Sequence, residues 1–138
     1  MLAVPAITAF VLGEHGDSSV INWTGIGLAG IKIPELTIKK KLEIKQRITG
    51  AAMEIIKGRG ATWDGIAAGA NDLVRAVAND ERRILPVSIV QNKAAYSLPR
   101  IIGRKGVIKT LTPEMNAVEK KSLSASIRAI QKTYKIIE

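Results

Sequence analysis

The spacing of apolar residues predicts two long helices in the middle of the chain. In residues 36–57 and 63–77, apolar side chains recur at intervals of three and four, which places them on one face of a helix. Gly58 and Gly60 follow the first segment, and Asn79 follows the second. These residue types commonly end helices, so both segments have a defined stop.

A third helix is predicted at the C-terminus. Thr112 is placed to cap it, Pro113 would occupy its first position and Glu114 its first turn. The residues that follow put large apolar side chains on one face: Leu123, Ile127, Ile130, Tyr134 and Ile137.

Extended segments are predicted on both sides of the two central helices. Residues 6–12 form an apolar run typical of a buried strand, and residues 20–33 form a second extended stretch. Residues 84–90, 96–102 and 107–111 predict three short strands whose short connections make them antiparallel. The expected fold is therefore α+β, a largely antiparallel sheet with packed helices.

Composition narrows the class of protein. The 138 residues, 46% hydrophobic and 24% charged, fit one globular domain spanning residues 1–138. The chain has no cysteine and a single histidine, which excludes disulfides, thiolate catalysis and a Cys- or His-rich metal site. The longest apolar stretch, residues 2–12, is too short to span a bilayer and lacks signal-peptide features. We expect a cytoplasmic protein with no membrane partner.

The net charge of +9 raises affinity for polyanions. The basic residues are scattered in short groups, however, and no base-stacking aromatic residues alternate with them. A nucleic-acid-binding module is therefore not favoured.

Residues 13–18 contain the chain's only histidine. His15 lies between Gly13-Glu14 and Gly16, in a loop that follows a predicted buried strand, where side chains often face a pocket. An imidazole there can donate a proton to a developing alkoxide and take it back, the acid/base task of carbonyl reduction. The alternative is a surface-loop histidine beside ordinary turn formers, Asp17 and Ser18.

Residues 10–18, Phe-Val-Leu-Gly-Glu-His-Gly-Asp-Ser, resemble the active-site histidine motif of the L-lactate and related 2-hydroxy acid dehydrogenases. The glutamate before the histidine favours the lactate branch over the malate branch. Four later segments resemble this family in the same order, so the resemblance covers nearly the whole chain. These segments are residues 52–63, 83–88, 98–103 and 111–112.

The resemblance implies the C-terminal, substrate-binding half of an NAD-dependent enzyme that interconverts lactate and pyruvate and assembles as a homo-oligomer. It makes His15 the proton donor and acceptor, and it places Thr62 and Ala52 at the substrate pocket. Thr62 has a second interpretation as a simple helix cap. A larger 2-hydroxy acid stays open as substrate because Ala52 and Ala61 leave room.

In this family NAD lies on an N-terminal dinucleotide-binding domain, which we expect to be missing from this chain along with the substrate-clamping arginine and the histidine-orienting aspartate. Residues 25–30 satisfy the GxGxxG pattern, but Pro34 follows where a phosphate-binding helix would begin. No cofactor-binding residue is therefore predicted. We expect the chain to be inactive without its other half; the alternative is a non-catalytic, basic interaction or assembly module on the same scaffold.

Overall fold

A computed structural model describes residues 7–28, 31–32 and 34–137. Three helices and eight strands are present among these residues. In chain order they are β1 (Ile7–Thr8), β2 (Val11–Leu12), β3 (Val20–Ile21), β4 (Gly27–Leu28), β5 (Ile31–Lys32), α1 (Ile38–Arg59), α2 (Trp63–Ala78), β6 (Arg83–Gln91), β7 (Ala94–Gly103), β8 (Gly106–Thr110) and α3 (Ala117–Ile137). The predicted α+β class, with antiparallel strands and helices, is confirmed.

The chain divides into two units, which are described separately. Unit 1 contains the described residues of the ranges 1–33, 84–101 and 109–138, and unit 2 contains residues 34–83 and 102–108. Unit 1 carries the histidine loop and α3. Unit 2 carries α1 and α2.

The first apolar run does not form the single buried strand predicted for residues 6–12. Residue 6 lies outside the described residues, and the remainder divides into β1 and β2, which pair antiparallel with β4 and β3 respectively. Leu12 is fully buried, whereas Ile7 and Val11 are 41% and 38% exposed. The run is apolar throughout, but its two ends pair with different strands, so only its last residue enters the core.

The second extended stretch, predicted for residues 20–33, is also interrupted. A turn at residues 23–25 separates β3 from β4, and β4 pairs antiparallel with β5. Residues 29, 30 and 33 of this stretch lie outside the described residues. Asn22, the residue before this turn, is fully buried. Its side-chain amide nitrogen donates to the backbone carbonyl oxygen of Glu114 (2.8 Å).

The core of unit 1 lies where β2 and β3 meet α3. Leu12, Val20 and Leu123 are its buried members. Partly buried apolar side chains pack around them: Phe10, Leu98, Met115 and Ile127. Leu123 and Ile127, two members of the predicted apolar face of α3, therefore pack beside the strands that flank the histidine loop. Tyr134, another member of that face, is 43% exposed.

The strands β6, β7 and β8 form a three-stranded sheet in that order, as predicted. Two-residue turns join them, and Asn92 and Lys93 in the first turn both have positive φ, as tight hairpins require. Within unit 1, the fully buried guanidinium of Arg100 donates to the carbonyl oxygens of Val87 and Leu98. Burial lowers the pKa of Arg100.

Unit 2 contains two helices with local start and stop signals. The Thr37 hydroxyl accepts a hydrogen bond from the backbone N–H of Lys40 at the start of α1, and Gly60 ends α1 in the left-handed conformation (φ +83°). α2 ends at Asn79, as predicted. In the same unit, the backbone N–H of Arg104 donates to the Asp80 carboxylate (2.8 Å), which lowers the pKa of that carboxyl.

The C-terminal helix begins later than predicted. Residues 111–116 are not helical, and α3 begins at Ala117 instead of Pro113. The Asn116 side-chain oxygen accepts from the backbone N–H of Glu119 (2.9 Å), and the Glu119 carboxylate accepts from the backbone N–H of Asn116 (3.1 Å). This reciprocal capping box fixes the start of α3, so Thr112 is not its cap.

Within the part of the chain that the structure describes, no helix is both long and apolar enough to cross a membrane.

Candidate active site

His15 is exposed on the loop that joins β2 to β3 in unit 1. The loop leaves the core at Leu12, and Gly13 adopts a positive φ of +85° that only glycine takes without strain. The backbone N–H of Ser19 donates to the carbonyl oxygen of Gly16 (3.0 Å) and closes the turn after the histidine. The imidazole is therefore presented to solvent by a loop with defined backbone bonds.

A backbone bridge fixes the start of this loop. The N–H of Gly13 donates to the carbonyl oxygen of Ser97 on β7 (2.9 Å), and the N–H of Ser97 donates to the carbonyl oxygen of Gly13 (2.8 Å). This pair of bonds is the antiparallel arrangement of a sheet, limited to one residue on each side. Gly13, two residues before His15, is thus hydrogen-bonded to β7.

A serine on α3 fixes the loop from the other side. The backbone N–H of Glu14 donates to the Ser126 hydroxyl oxygen (2.9 Å), and the Ser18 hydroxyl lies 3.1 Å from that oxygen. Ser18 also donates to the Glu14 carboxylate. Ser126 is fully buried, so water has little access to its hydroxyl oxygen.

Sequence reasoning did not identify Ser126 or Ser97. Ser126 lies three residues after Leu123 and one before Ile127, within the apolar stripe of α3. A small polar residue in such a stripe needs a hydrogen-bond partner when it is buried, and this was the available signal. Ser97 acts only through its backbone, which no side-chain pattern reveals.

A second polar cluster holds the beginning of α3 beside the end of β3. Glu119 is only 4% exposed, and its carboxylate accepts from the backbone N–H groups of Thr24 (2.9 Å) and Asn116 (3.1 Å). Burial alone would raise the pKa of Glu119, but these hydrogen bonds together lower the pKa below its usual value. The cluster positions the helix that carries Ser126.

The two other predicted site residues lie in unit 2. Thr62 is half-buried at the position before α2, but its side chain makes no capping hydrogen bond. Ala52 is exposed on α1. Thr62 is the N-cap residue of α2, as the alternative interpretation predicted, but with φ −103° and ψ 28° its hydroxyl makes no capping hydrogen bond. The pocket role of both residues stays a prediction.

The glycine pattern at residues 25–30 does not fit a dinucleotide site. Its described part enters β4, which pairs with β5, so a strand stands where a phosphate-binding helix would begin. Among residues 7–28, 31–32 and 34–137 there is also no group of three acidic or histidine side chains that could hold a metal ion.

Residues 3–138 match the lactate/malate dehydrogenase family, alpha/beta C-terminal domain. The L-lactate dehydrogenases of Thermus aquaticus and Allorhizobium ampelinum are each 35% identical to this chain, over 95% and 91% of its length. The chain spans about half the length of these curated relatives, 47% and 45% respectively.

Solved structures show the same similarity. A lactate dehydrogenase from a Medee basin deep-sea metagenome library has a TM-score of 0.89 and 26% identity, and it matches 97% of this chain with 47% of its own. The malate dehydrogenase of Aeropyrum pernix has the same fold, with a TM-score of 0.84 at 23% identity over 97% of this chain and 47% of its own. The chain belongs to the lactate/malate dehydrogenase family, as its alpha/beta C-terminal domain.

Proposed function

We propose that residues 1–138 form the single substrate-binding domain of a cytoplasmic, NAD-dependent L-lactate or L-2-hydroxy acid dehydrogenase. In this proposal His15 donates a proton to the oxygen of the 2-keto acid as it becomes a hydroxyl, and takes the proton back in the reverse direction. Ala52 and Thr62 line the pocket for the small substrate side chain. The substrate pair expected first is pyruvate and lactate.

The observation that carries the proposal is the way His15 is presented. The imidazole is exposed, but the backbone on its N-terminal side is bonded to β7 and α3 through Gly13 and Glu14. A surface histidine in an ordinary turn needs no such anchors. A general acid does need them, because proton transfer requires the donor within hydrogen-bond reach of a positioned substrate.

The side chain of Thr62 is compatible with a role in the substrate pocket. Its hydroxyl forms no helix-capping hydrogen bond, although the residue stands immediately before α2. A half-buried hydroxyl in this position is available to a ligand. Ala52 adds a small side chain on α1, which leaves space for the substrate.

The glycine pattern at residues 25–30 leads into a strand, so it is not assigned to NAD. In this proposal NAD binds to the dinucleotide-binding domain of the whole enzyme, as the resemblance implies. This chain contributes the proton donor and pocket residues, and the redox chemistry belongs to the bound nicotinamide.

The test is NADH oxidation in the presence of pyruvate. It is measured for this chain alone and after mixing with the part of the Thermus aquaticus relative that the chain does not match. We expect turnover only in the mixture. The His15→Ala variant should abolish it, with a loss of about 100-fold or more, as removal of a general acid typically causes.

The matched control is Arg128→Ala, an exposed residue of α3 outside the histidine loop. We expect it to keep the activity of the unmodified chain. Association of the two parts is measured separately by sedimentation. If the parts associate and no pyruvate-dependent oxidation follows, the dehydrogenase proposal is wrong.

One observation favours a second candidate function, binding of polyanions without catalysis. A groove of about 410 Å³ in unit 1 is lined by Asn92, Lys93, Arg128, Gln131 and Lys132, which include three cations. A basic interaction module would bind heparin more weakly as salt rises, would lose affinity in Arg128→Ala, and would be unaffected by His15→Ala. The two variants therefore separate the two functions.

A further inference from the structure

We infer that Ser126 is the positioning residue that fixes the conformation of the His15 loop. The inference rests on the proposed function only where it concerns turnover. The hydrogen bonds of Ser126, its burial and its contact with Gly13 are independent of any reaction.

Ser126, Ser18 and Glu14 are joined by three hydrogen bonds. The Glu14 backbone N–H donates to Ser126 Oγ (2.9 Å), and the Ser18 hydroxyl donates to the Glu14 carboxylate. The proton of Ser18 is thereby used, so the 3.1 Å contact between the two hydroxyl oxygens is made by the proton of Ser126. The three hydrogen bonds therefore close a ring: the backbone N–H of Glu14 contacts Ser126, Ser126 contacts Ser18, and Ser18 contacts the carboxylate of Glu14.

This ring of hydrogen bonds holds Glu14, the residue directly before His15, at two points. Its backbone N–H and its carboxylate are both held, so rotation of the Glu14 backbone would break bonds at once. Because His15 shares a peptide plane with Glu14, these bonds restrict where the backbone of His15 begins. Ser126 is the member of the ring that belongs to a rigid helix.

Ser126 also lies in close contact with the backbone of Gly13. A Cβ placed on Gly13 would lie 2.5 Å from Ser126 Oγ and 3.1 Å from Ser126 Cβ. The loop backbone and the serine therefore approach as closely as a glycine allows. Such an approach is used when the backbone must reach a hydrogen-bond partner.

The test compares Ser126→Ala with Ser124→Ala. Ser124 is exposed two residues earlier on α3, and its hydroxyl donates to the Lys120 carbonyl oxygen within the helix, away from the loop. The two substitutions are chemically identical. Only the first removes the acceptor of the Glu14 N–H.

Two readouts on the full chain report the loop directly. His15 is the only histidine, so its imidazole C–H group gives one assignable NMR signal. We expect Ser126→Ala to shift or broaden this signal and to accelerate hydrogen exchange of the Glu14 amide at least about 10-fold, because that amide loses its acceptor. Ser124→Ala should leave both unchanged.

A third variant, Ser18→Ala, opens the ring from the loop side and leaves α3 intact. It should move the His15 signal but keep the Glu14 amide protected, because Ser126 still accepts from it. If Ser126→Ala does not fold, Ser18→Ala decides the question. An unchanged His15 signal in Ser18→Ala would then overturn the inference.

Turnover is measured in the mixture of this chain with the complementary part of the Thermus aquaticus relative. We expect kcat in Ser126→Ala to fall roughly 10- to 100-fold, as a misplaced catalytic group does, with KM for pyruvate changed less than about threefold. An unchanged His15 signal and Glu14 exchange overturn the inference, and so does a changed signal with unchanged kcat. If Ser126→Ala changes the His15 signal but the unmodified chain shows no turnover in the mixture, the role of Ser126 in fixing the loop is supported and the dehydrogenase proposal is wrong.

Discussion

Gly13 combines a backbone conformation that disfavours a side chain with a neighbour that would collide with one. Its φ is +85°, and an added Cβ would meet Ser126 Oγ at 2.5 Å. We expect Gly13→Ala to lower the free energy of unfolding by about 3 kcal/mol or more, from left-handed strain together with overpacking. Urea unfolding followed by circular dichroism measures the loss.

Gly106 provides the control for this substitution. Its φ is +91°, but no atom lies within 4 Å of an added Cβ. Gly106→Ala should therefore lose only the strain contribution, about 1–2 kcal/mol. Equal losses in the two variants would show that Ser126 does not constrain the glycine.

Glu119 gives the stability of the protein a specific dependence on pH. Hydrogen bonds from Thr24 and Asn116 lower the pKa of this buried carboxyl in the folded state, despite the opposing effect of burial. The ionised carboxylate of Glu119 therefore stabilises the folded protein at any pH above the pKa that Glu119 has in the unfolded chain. This contribution is lost as the pH falls below about 4.5 and through the folded-state pKa.

The measurement is the free energy of unfolding at pH 7 and at pH 3 for the unmodified chain and for Glu119→Gln. We expect the variant to be less stable at pH 7, with the difference becoming smaller at pH 3. A difference that stays constant between the two pH values would contradict the assigned role of the charge.

The sequence predicted that His15 lies in a loop after a strand, but it did not predict the residues that bond that loop. His15 was identifiable because glycines flank it and it is the only histidine. Ser126 and Glu119 are an ordinary serine and glutamate in a helix, and their importance comes from partners 112 and 95 residues away. Local patterns carry no information about such pairings.

Among the helices and strands, α3 has two residues that could cap its start, Thr112 and Asn116. Thr112 matched the sequence signal of a cap followed by proline, but Asn116 makes the capping bonds. We expect Asn116→Ala to cost about 1 kcal/mol of unfolding free energy, the usual value of an N-cap. Thr112→Ala, at an exposed position before the helix, should cost less than about 0.5 kcal/mol.

Thermal or urea unfolding of the two variants measures this difference. A larger loss in Thr112→Ala than in Asn116→Ala would mean that the helix begins where the sequence first indicated. The proline at residue 113 misled the prediction, because the fixed φ of proline suits turns as well as the first turn of a helix.

The helices were predicted more accurately than the strands, and periodicity explains why. A helical stripe extends over many residues, so α1 and α2 were placed within two residues of their observed bounds. The first five strands have two residues each, which is too short for an alternating pattern. Their bounds depend on pairing partners, which the sequence does not name.

In the whole molecule, the exposed apolar face of α1 is a candidate contact between copies of the chain. The stripe predicted for this helix is present, but no described residue of α1 is buried, and Ile48 and Ile55 are each 45% exposed. Exposed apolar residues in register on one helix are typical of protein–protein interfaces. We expect this face to join copies of the chain in the proposed homo-oligomer.

Sedimentation equilibrium over a range of concentrations tests the assembly. Ile55→Glu should weaken association at least about 10-fold, the effect of burying an unpaired charge at an apolar contact. Lys45→Ala, an exposed residue of the same helix, is the matched control. Monomers at every concentration for the unmodified chain would rule out this interface.

The long separation between Glu14 and Ser126 also determines when the histidine loop can form during synthesis. Ser126 lies 112 positions after Glu14, a length of chain that takes on the order of ten seconds to translate. Until α3 emerges from the ribosome, the chain carries its histidine without the helix that shapes the loop. A chain released before α3 would therefore contain His15 without the serine that bonds its loop.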